Sequence, residues 1–77
     1  MTKPSDYVVH ICTGTFLSEE GKRLDYYKAL IKTVKGDNVN YALVKASPEW
    51  AKSFTDFNSC CVLYYDRYGR ITGHQVM

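Results

Sequence analysis

The residues in this sequence best suited to ligation or nucleophilic chemistry are His10, Cys12, Cys60, Cys61 and His74. A zinc site needs four such groups at spacings like C-x2–4-C or H-x3–5-H, and neither spacing is present. Cys60 and Cys61 are adjacent, and adjacent side chains of a strand leave opposite faces. His10 and Cys12 share a strand face, which is the whole of the metal argument. Small thiols buried in a core account for the same residues. Nucleophilic catalysis would pair a cysteine with a histidine base. No G-x-S-x-G, P-loop or G-x-G-x-x-G motif accompanies them, and Cys12-Thr13-Gly14-Thr15 lacks the arginine that would complete a phosphate cradle. A chain of 77 residues also leaves little room for an enclosed pocket. These residues point to a protein that is not an enzyme, with no metal and no cofactor.

A second constellation is more suggestive. Between Arg23 and Ala46 tyrosines alternate with lysines: Tyr26, Tyr27, Lys28, Lys32, Lys35, Tyr41, Lys45. Proteins that hold single-stranded nucleic acid combine a basic groove with rings on which bases stack, each worth about 1–3 kcal/mol. If this stretch is two strands, Tyr26, Lys28 and Lys32 share one face, and Tyr41 and Lys45 share parity on the next. These five are the candidate nucleic-acid-binding residues. A separate cluster, Tyr64, Tyr65, Arg67, Tyr68 and Arg70, falls at a C-terminal hairpin. Tyrosine and arginine are enriched at protein-interface hot spots, so that cluster is the candidate protein-binding tip. The plainer account is that the tyrosines cover a small core and the lysines keep a sheet edge soluble.

Composition narrows the classes. Apolar residues are 45% and charged residues 23%, the balance of a folded chain rather than a disordered one. At this length the expectation is one domain, residues 1–77, with a core supplying roughly 3–5 kcal/mol unless pairing or stapling adds to it. A homodimer, or docking on a larger partner, is therefore expected to help. The net charge of +2 and pI of about 8.4 fall short of a dedicated duplex binder, whose domain pI exceeds about 9. The charge is unevenly spread, however. Lys22, Arg23, Lys28, Lys32, Lys35 and Lys45 stand against only Asp25 and Asp37 in that segment, a local basic face. Three cysteines without a disulfide framework, no signal-like start and no apolar run of about 18 residues give a reduced, cytoplasmic protein with no membrane partner as the expectation.

The elements that must position these residues read as follows. Met1–Ser5, with Pro4, opposes regular structure. Asp6–Leu17 is a strand, with Tyr7, Val9, Ile11 and Thr13 on one face and Val8, His10 and Cys12 on the other. Gly14 would permit a bend. Ser18-Glu19-Glu20-Gly21-Lys22 is a hairpin connection. Leu24–Val34 and Val39–Ala46 are strands around Lys35-Gly36-Asp37-Asn38. The first of these also carries a helical reading over 19–35, because Leu24, Tyr27, Ile31 and Val34 recur at helical spacing and Ser18 suits an N-cap. As a strand, it turns Tyr27, Ala29, Ile31 and Thr33 inward. Ser47-Pro48-Glu49 starts a helix to about Asp56: Ser47 as N-cap, Pro48 in the first turn, Glu49 at the positive end of the dipole. Trp50, Phe54 and Phe57 follow on one face. Cys60–Asp66 and Ile71–Val76 are strands around Arg67-Tyr68-Gly69-Arg70.

The order strand, strand, strand, short helix, strand, strand is that of a small five-stranded OB-like barrel with its helix between strands 3 and 4. With 19–35 helical it becomes a βαβαββ sandwich instead. The run Gly21-Lys22, a long strand, the turn at Gly36-Asp37 and then Tyr41-Ala42-Leu43-Val44-Lys45 resembles the core of the small single-stranded-DNA-binding proteins of filamentous phages. That resemblance covers about a third of the chain and rests on pattern rather than a diagnostic motif. It implies an OB-fold, a dimer, and binding to single strands. The helix at Pro48–Asp56 departs from those proteins. The leading expectation is sequence-tolerant single-stranded nucleic-acid binding by the tyrosine/lysine sheet face. The alternative is a small phage-type inhibitor or adaptor that binds a host protein through the C-terminal Tyr/Arg hairpin.

Overall fold

The computed structural model describes residues 5–77. The irregular start expected at residues 1–4 lies outside them, and Ser5 already belongs to the first strand. Five strands and one helix follow: β1 (Ser5–Leu17), β2 (Arg23–Lys35), β3 (Asn38–Ala46), α1 (Pro48–Ser53), β4 (Cys60–Tyr65) and β5 (Ile71–Val76). The strands close into a barrel in the order β1-β2-β3-β5-β4. This is the five-stranded OB-like architecture with its helix between strands 3 and 4. The βαβαββ alternative is excluded, because 23–35 is a strand. What decided against a helix is the inward row: Ala29 and Ile31 are buried, Tyr27 packs against them, and Lys28, Leu30 and Lys32 leave by the other face.

Two thin seams close the barrel. β1 meets β4 at Asp6↔Cys61 and Tyr7↔Cys60. β3 meets β5 at Ala46↔Ile71, where the Ser47 N–H also donates to the Ile71 carbonyl at 2.8 Å. Most of the ladder lies in the β1-β2-β3 meander. β1 and β2 run on together past the barrel as a two-stranded ribbon, from Gly14↔Tyr26 to Leu17↔Arg23. The register shifts between Val8 and His10, so Val9 has no partner of its own. That shift corrects the strict alternation expected for β1. Val8 and Ile11 point inward, whereas Tyr7, His10, Cys12 and Gly14 pair with the outward row of β2. The bend expected at Gly14 falls instead at Val9.

The core is Val8, Ala29, Ile31, Ala46, Trp50, Ala51, Phe54, Cys61, Leu63 and Ile71. Burial pushes the Cys61 thiol above its ordinary value, with Cys60 adding to the effect. Its neutral form fits the apolar surroundings. The helix is shorter than its sequence signals suggested, ending at Ser53, and Phe54 is already extended. The Ser47 hydroxyl accepts no capping hydrogen bond; its carbonyl takes the Ala51 N–H at 2.9 Å, and the β3–β5 seam holds its own N–H. The ring cluster survives the shorter helix. Trp50 and Phe54 centroids lie 4.8 Å apart, and Phe57 meets Phe54 edge-on at 5.0 Å.

His74, on β5, completes this plug. Trp50 Nε1–H donates to His74 Nδ1 at 2.9 Å, and His74 Nε2 lies 2.7 Å from Asp56 Oδ2. An indole nitrogen only donates, so Nδ1 accepts and Nε2 carries the hydrogen toward the carboxylate. One of the two histidines is therefore a structural bridge between helix, loop and barrel. His74→Leu is expected to cost about 1–3 kcal/mol, because it leaves the Trp50 N–H without an acceptor. Urea denaturation reads this directly, and an unchanged midpoint and slope would show the bridge to be idle. No helix among the described residues is long and apolar enough to cross a membrane.

Candidate nucleic-acid interface

The outer face of the meander is a grid set by register. Lys28 lies opposite Lys45, Leu30 opposite Leu43, Lys32 opposite Tyr41 and Val34 opposite Val39. On the other side of β2, Gly14 lies opposite Tyr26, Cys12 opposite Lys28 and Tyr7 opposite Lys32. All five residues expected to bind nucleic acid thus leave the same face. They do not form one cluster. The Lys28–Lys45 row and the Lys32–Tyr41 row are four residues apart, about 13 Å at strand rise, with Leu30 and Leu43 between them.

The first row opens onto a concavity. Phe16, Asp25, Tyr26, Tyr27, Lys28, Lys45, Ala46, Pro48 and Arg70 line a groove of about 420 Å³. It sits in the angle between the β1–β2 ribbon and the corner where β3 turns into α1. A smaller hollow of about 250 Å³, between Lys45, Tyr68 and Arg70, adjoins it. Lys28, Lys45 and Arg70 bring three cations, against Asp25 in the lining and the Asp66 carboxylate that Arg70 already meets at 2.9 Å, so the groove keeps a small positive excess.

Tyr26 has a fixed seat in this groove. A Cβ on Gly14 would collide with the Tyr26 hydroxyl oxygen and Cζ. The ring therefore occupies the space that only glycine leaves free. Phe16 lies 6.3 Å from it, centroid to centroid, and Lys28 Nζ is 5.6 Å from its centroid. Tyr26 remains 39% exposed, so part of the side chain is open to a ligand. In the adjoining hollow Tyr68 is 65% exposed, with the Arg67 and Arg70 guanidinium carbons 5.0 and 5.4 Å from its ring centroid.

Asp66 shapes that hairpin tip. Its Oδ1 accepts the N–H groups of Tyr68 and Arg70, each at 2.9 Å, and its Oδ2 accepts from Arg70 Nε at 2.9 Å. The Arg70 N–H, helped by the Arg70 guanidinium and the Tyr68 N–H, holds the Asp66 carboxyl below its ordinary range. A lowered folded value means the charged form favours the ordered tip. That contribution is present above the ordinary aspartate value and is lost as pH falls through the lowered one. The Tyr68 and Arg70 amide resonances are expected to titrate together, with an apparent midpoint below that of an unperturbed aspartate. A midpoint at the ordinary value would show that these bonds do not hold the loop.

The C-terminal cluster is divided by the fold. Tyr68 and Arg70 join the groove with Lys45, while Tyr64, Tyr65 and Arg67 do not line it. Tyr64 is half-exposed, its hydroxyl 3.0 Å from Gln75 Oε1. Tyr65 is also half-exposed, and desolvation with the nearby Asp6 carboxylate raises its phenol. Phe16, Tyr27 and Pro48 were absent from the sequence-level site. The signal for Phe16 was available: it is an aromatic at the end of an apolar strand, one hairpin from Tyr26. Among the described residues, no three His, Cys, Asp or Glu side chains gather as a metal cluster. No protein-family model, curated protein or solved structure matches the chain.

Proposed function

We propose that this is a non-enzymatic binding protein that holds single-stranded nucleic acid without strong sequence preference. The observation that carries the reading is the groove itself. It unites an exposed, seated tyrosine, a second exposed tyrosine, and three cations at the β2–β3 face and the β4–β5 loop of an OB-like barrel, the surfaces such barrels use for oligonucleotides. Tyr26 and Tyr68 are platforms on which bases stack, and Lys28, Lys45 and Arg70 meet phosphates. Lys32 and Tyr41 extend the same face for a longer strand.

Fluorescence anisotropy of a labelled oligo-dT, with RNA and duplex controls, tests this. With three phosphates neutralised, log K should fall against log salt with a slope of about −2, from roughly −0.7 per phosphate on a single strand. Micromolar or tighter binding with that slope supports the reading. Absence of binding at low salt would remove it. The second reading, an inhibitor or adaptor that grips a host protein, is favoured by the half-exposed Tyr64 and Tyr65 outside the groove. It predicts that Tyr65→Ala or Arg67→Glu abolishes capture of a protein partner while oligonucleotide binding is absent throughout.

A further inference from the structure

β3 is paired along its whole length with β2 but bridged to β5 only at Ala46. Its other edge is open, and Asn38 to Leu43 are all exposed. Natural sheets guard such edges with lysine, proline or bulges, because free N–H and C=O groups invite another strand. Asn38-Val39-Asn40-Tyr41-Ala42-Leu43-Val44 carries no charge and no proline, and its register against β2 is unbroken. Val39, Tyr41 and Leu43 are 48%, 60% and 58% exposed.

We propose that this edge pairs antiparallel with the same edge of a second copy of the chain, about a two-fold axis at Tyr41. The sequence is self-complementary in that register. Leu43 lies opposite Val39 of the second copy and Tyr41 opposite Tyr41, on the outer face; Asn40 lies opposite Ala42 on the inner, and the turn residue Asp37 comes at the end of the ladder toward Lys45. Two apolar pairs and an aromatic pair result, each a stabilising cross-strand combination. Moving the axis one residue, to Ala42, sets the charged Lys45 against the apolar Val39 and breaks both Leu43–Val39 pairs. An isologous contact of this kind closes on itself as a dimer. It joins the two meanders into one six-stranded sheet and does not depend on the nucleic-acid reading.

Sedimentation velocity of the full chain, without nucleic acid and across the micromolar range, tests it. The chain is expected to dimerise. Leu43→Lys and Val39→Glu should each weaken the dimer by at least about tenfold, since each removes two apolar cross-strand pairs. Both side chains are already exposed, so circular dichroism should show an intact fold. The double variant should recover dimerisation, because the introduced charges then face each other across the axis. A monomeric wild-type chain would overturn the proposal, and so would a dimer indifferent to both single changes. Failure of the double variant to recover would overturn the Tyr41-centred register. Oligonucleotide affinity is a separate readout, so the two readings fail independently.

Discussion

Replacing Trp50 with alanine is expected to leave the chain largely unfolded at room temperature. Trp50 is 7% exposed, packs on Phe54 and His74, and donates the hydrogen bond that links α1 to β5. Truncating a buried tryptophan costs about 3–5 kcal/mol, the lost transfer energy plus the cavity left behind. A core of this size contributes roughly 3–5 kcal/mol in all, so the loss is comparable with the whole margin. Thermal and urea melts followed by circular dichroism would show little or no cooperative transition. Trp50→Phe separates the two contributions: it keeps most of the packing and loses only the bond to His74, for about 1–3 kcal/mol. A Trp50→Ala protein that melts within a few degrees of wild type would mean that the barrel, not the helical plug, carries the stability.

The second large effect concerns Gly14 and Tyr26. Tyr26→Ala should weaken oligonucleotide binding by about 1–3 kcal/mol, roughly 5- to 150-fold, the contribution of one stacked base. Gly14→Ala should produce much of the same loss without changing the tyrosine, because its methyl group would claim the space the outer end of the ring occupies. The two effects should not add. In a Tyr26→Ala background, Gly14→Ala should change affinity very little, giving a coupling energy close to the single-mutant effect. Anisotropy on the four proteins completes the cycle, with circular dichroism confirming that the ribbon is intact. Additive losses would mean that Gly14 acts on something other than the seat of Tyr26. Affinity unchanged in Tyr26→Ala would remove the groove from the proposed binding surface.

Much of the fold was legible because its signals are local. The hairpin turns carry Gly21, Gly36 and Gly69 at positive φ, where side-chain-bearing residues are strained. Alternation on β2 sorted Ala29 and Ile31 from Lys28 and Lys32, and Ser47-Pro48-Glu49 marked the helix start. Two local readings failed for physical reasons. The extra residue at Val9 reverses parity along β1, and a register shift has no signature in an apolar run such as Tyr7-Val8-Val9. The helix was read too long because Trp50, Phe54 and Phe57 recur at helical spacing. Phe57 reaches Phe54 from a turn beyond the helix instead, anchored where Asn58, at φ 62, donates to the Val8 carbonyl at 2.9 Å.

The sequence by itself determined the turns and the strands other than β2; for 19–35 it left strand and helix open, and the inward row of β2 and the shared outer face of Tyr26, Lys28, Lys32, Tyr41 and Lys45 follow from it once that segment is a strand. Each follows from side-chain periodicity and turn chemistry within about a dozen residues. Only the tertiary structure decided which of these residues meet. Closure at Ala46↔Ile71 carries Tyr68 and Arg70, two dozen residues downstream, to the side of Lys45. It thereby merges half of one candidate site with half of another. The same closure stops at Ala46, so the edge of β3 before it stays open. Long-range pairing of this kind depends on how the whole core packs, and no local pattern encodes it.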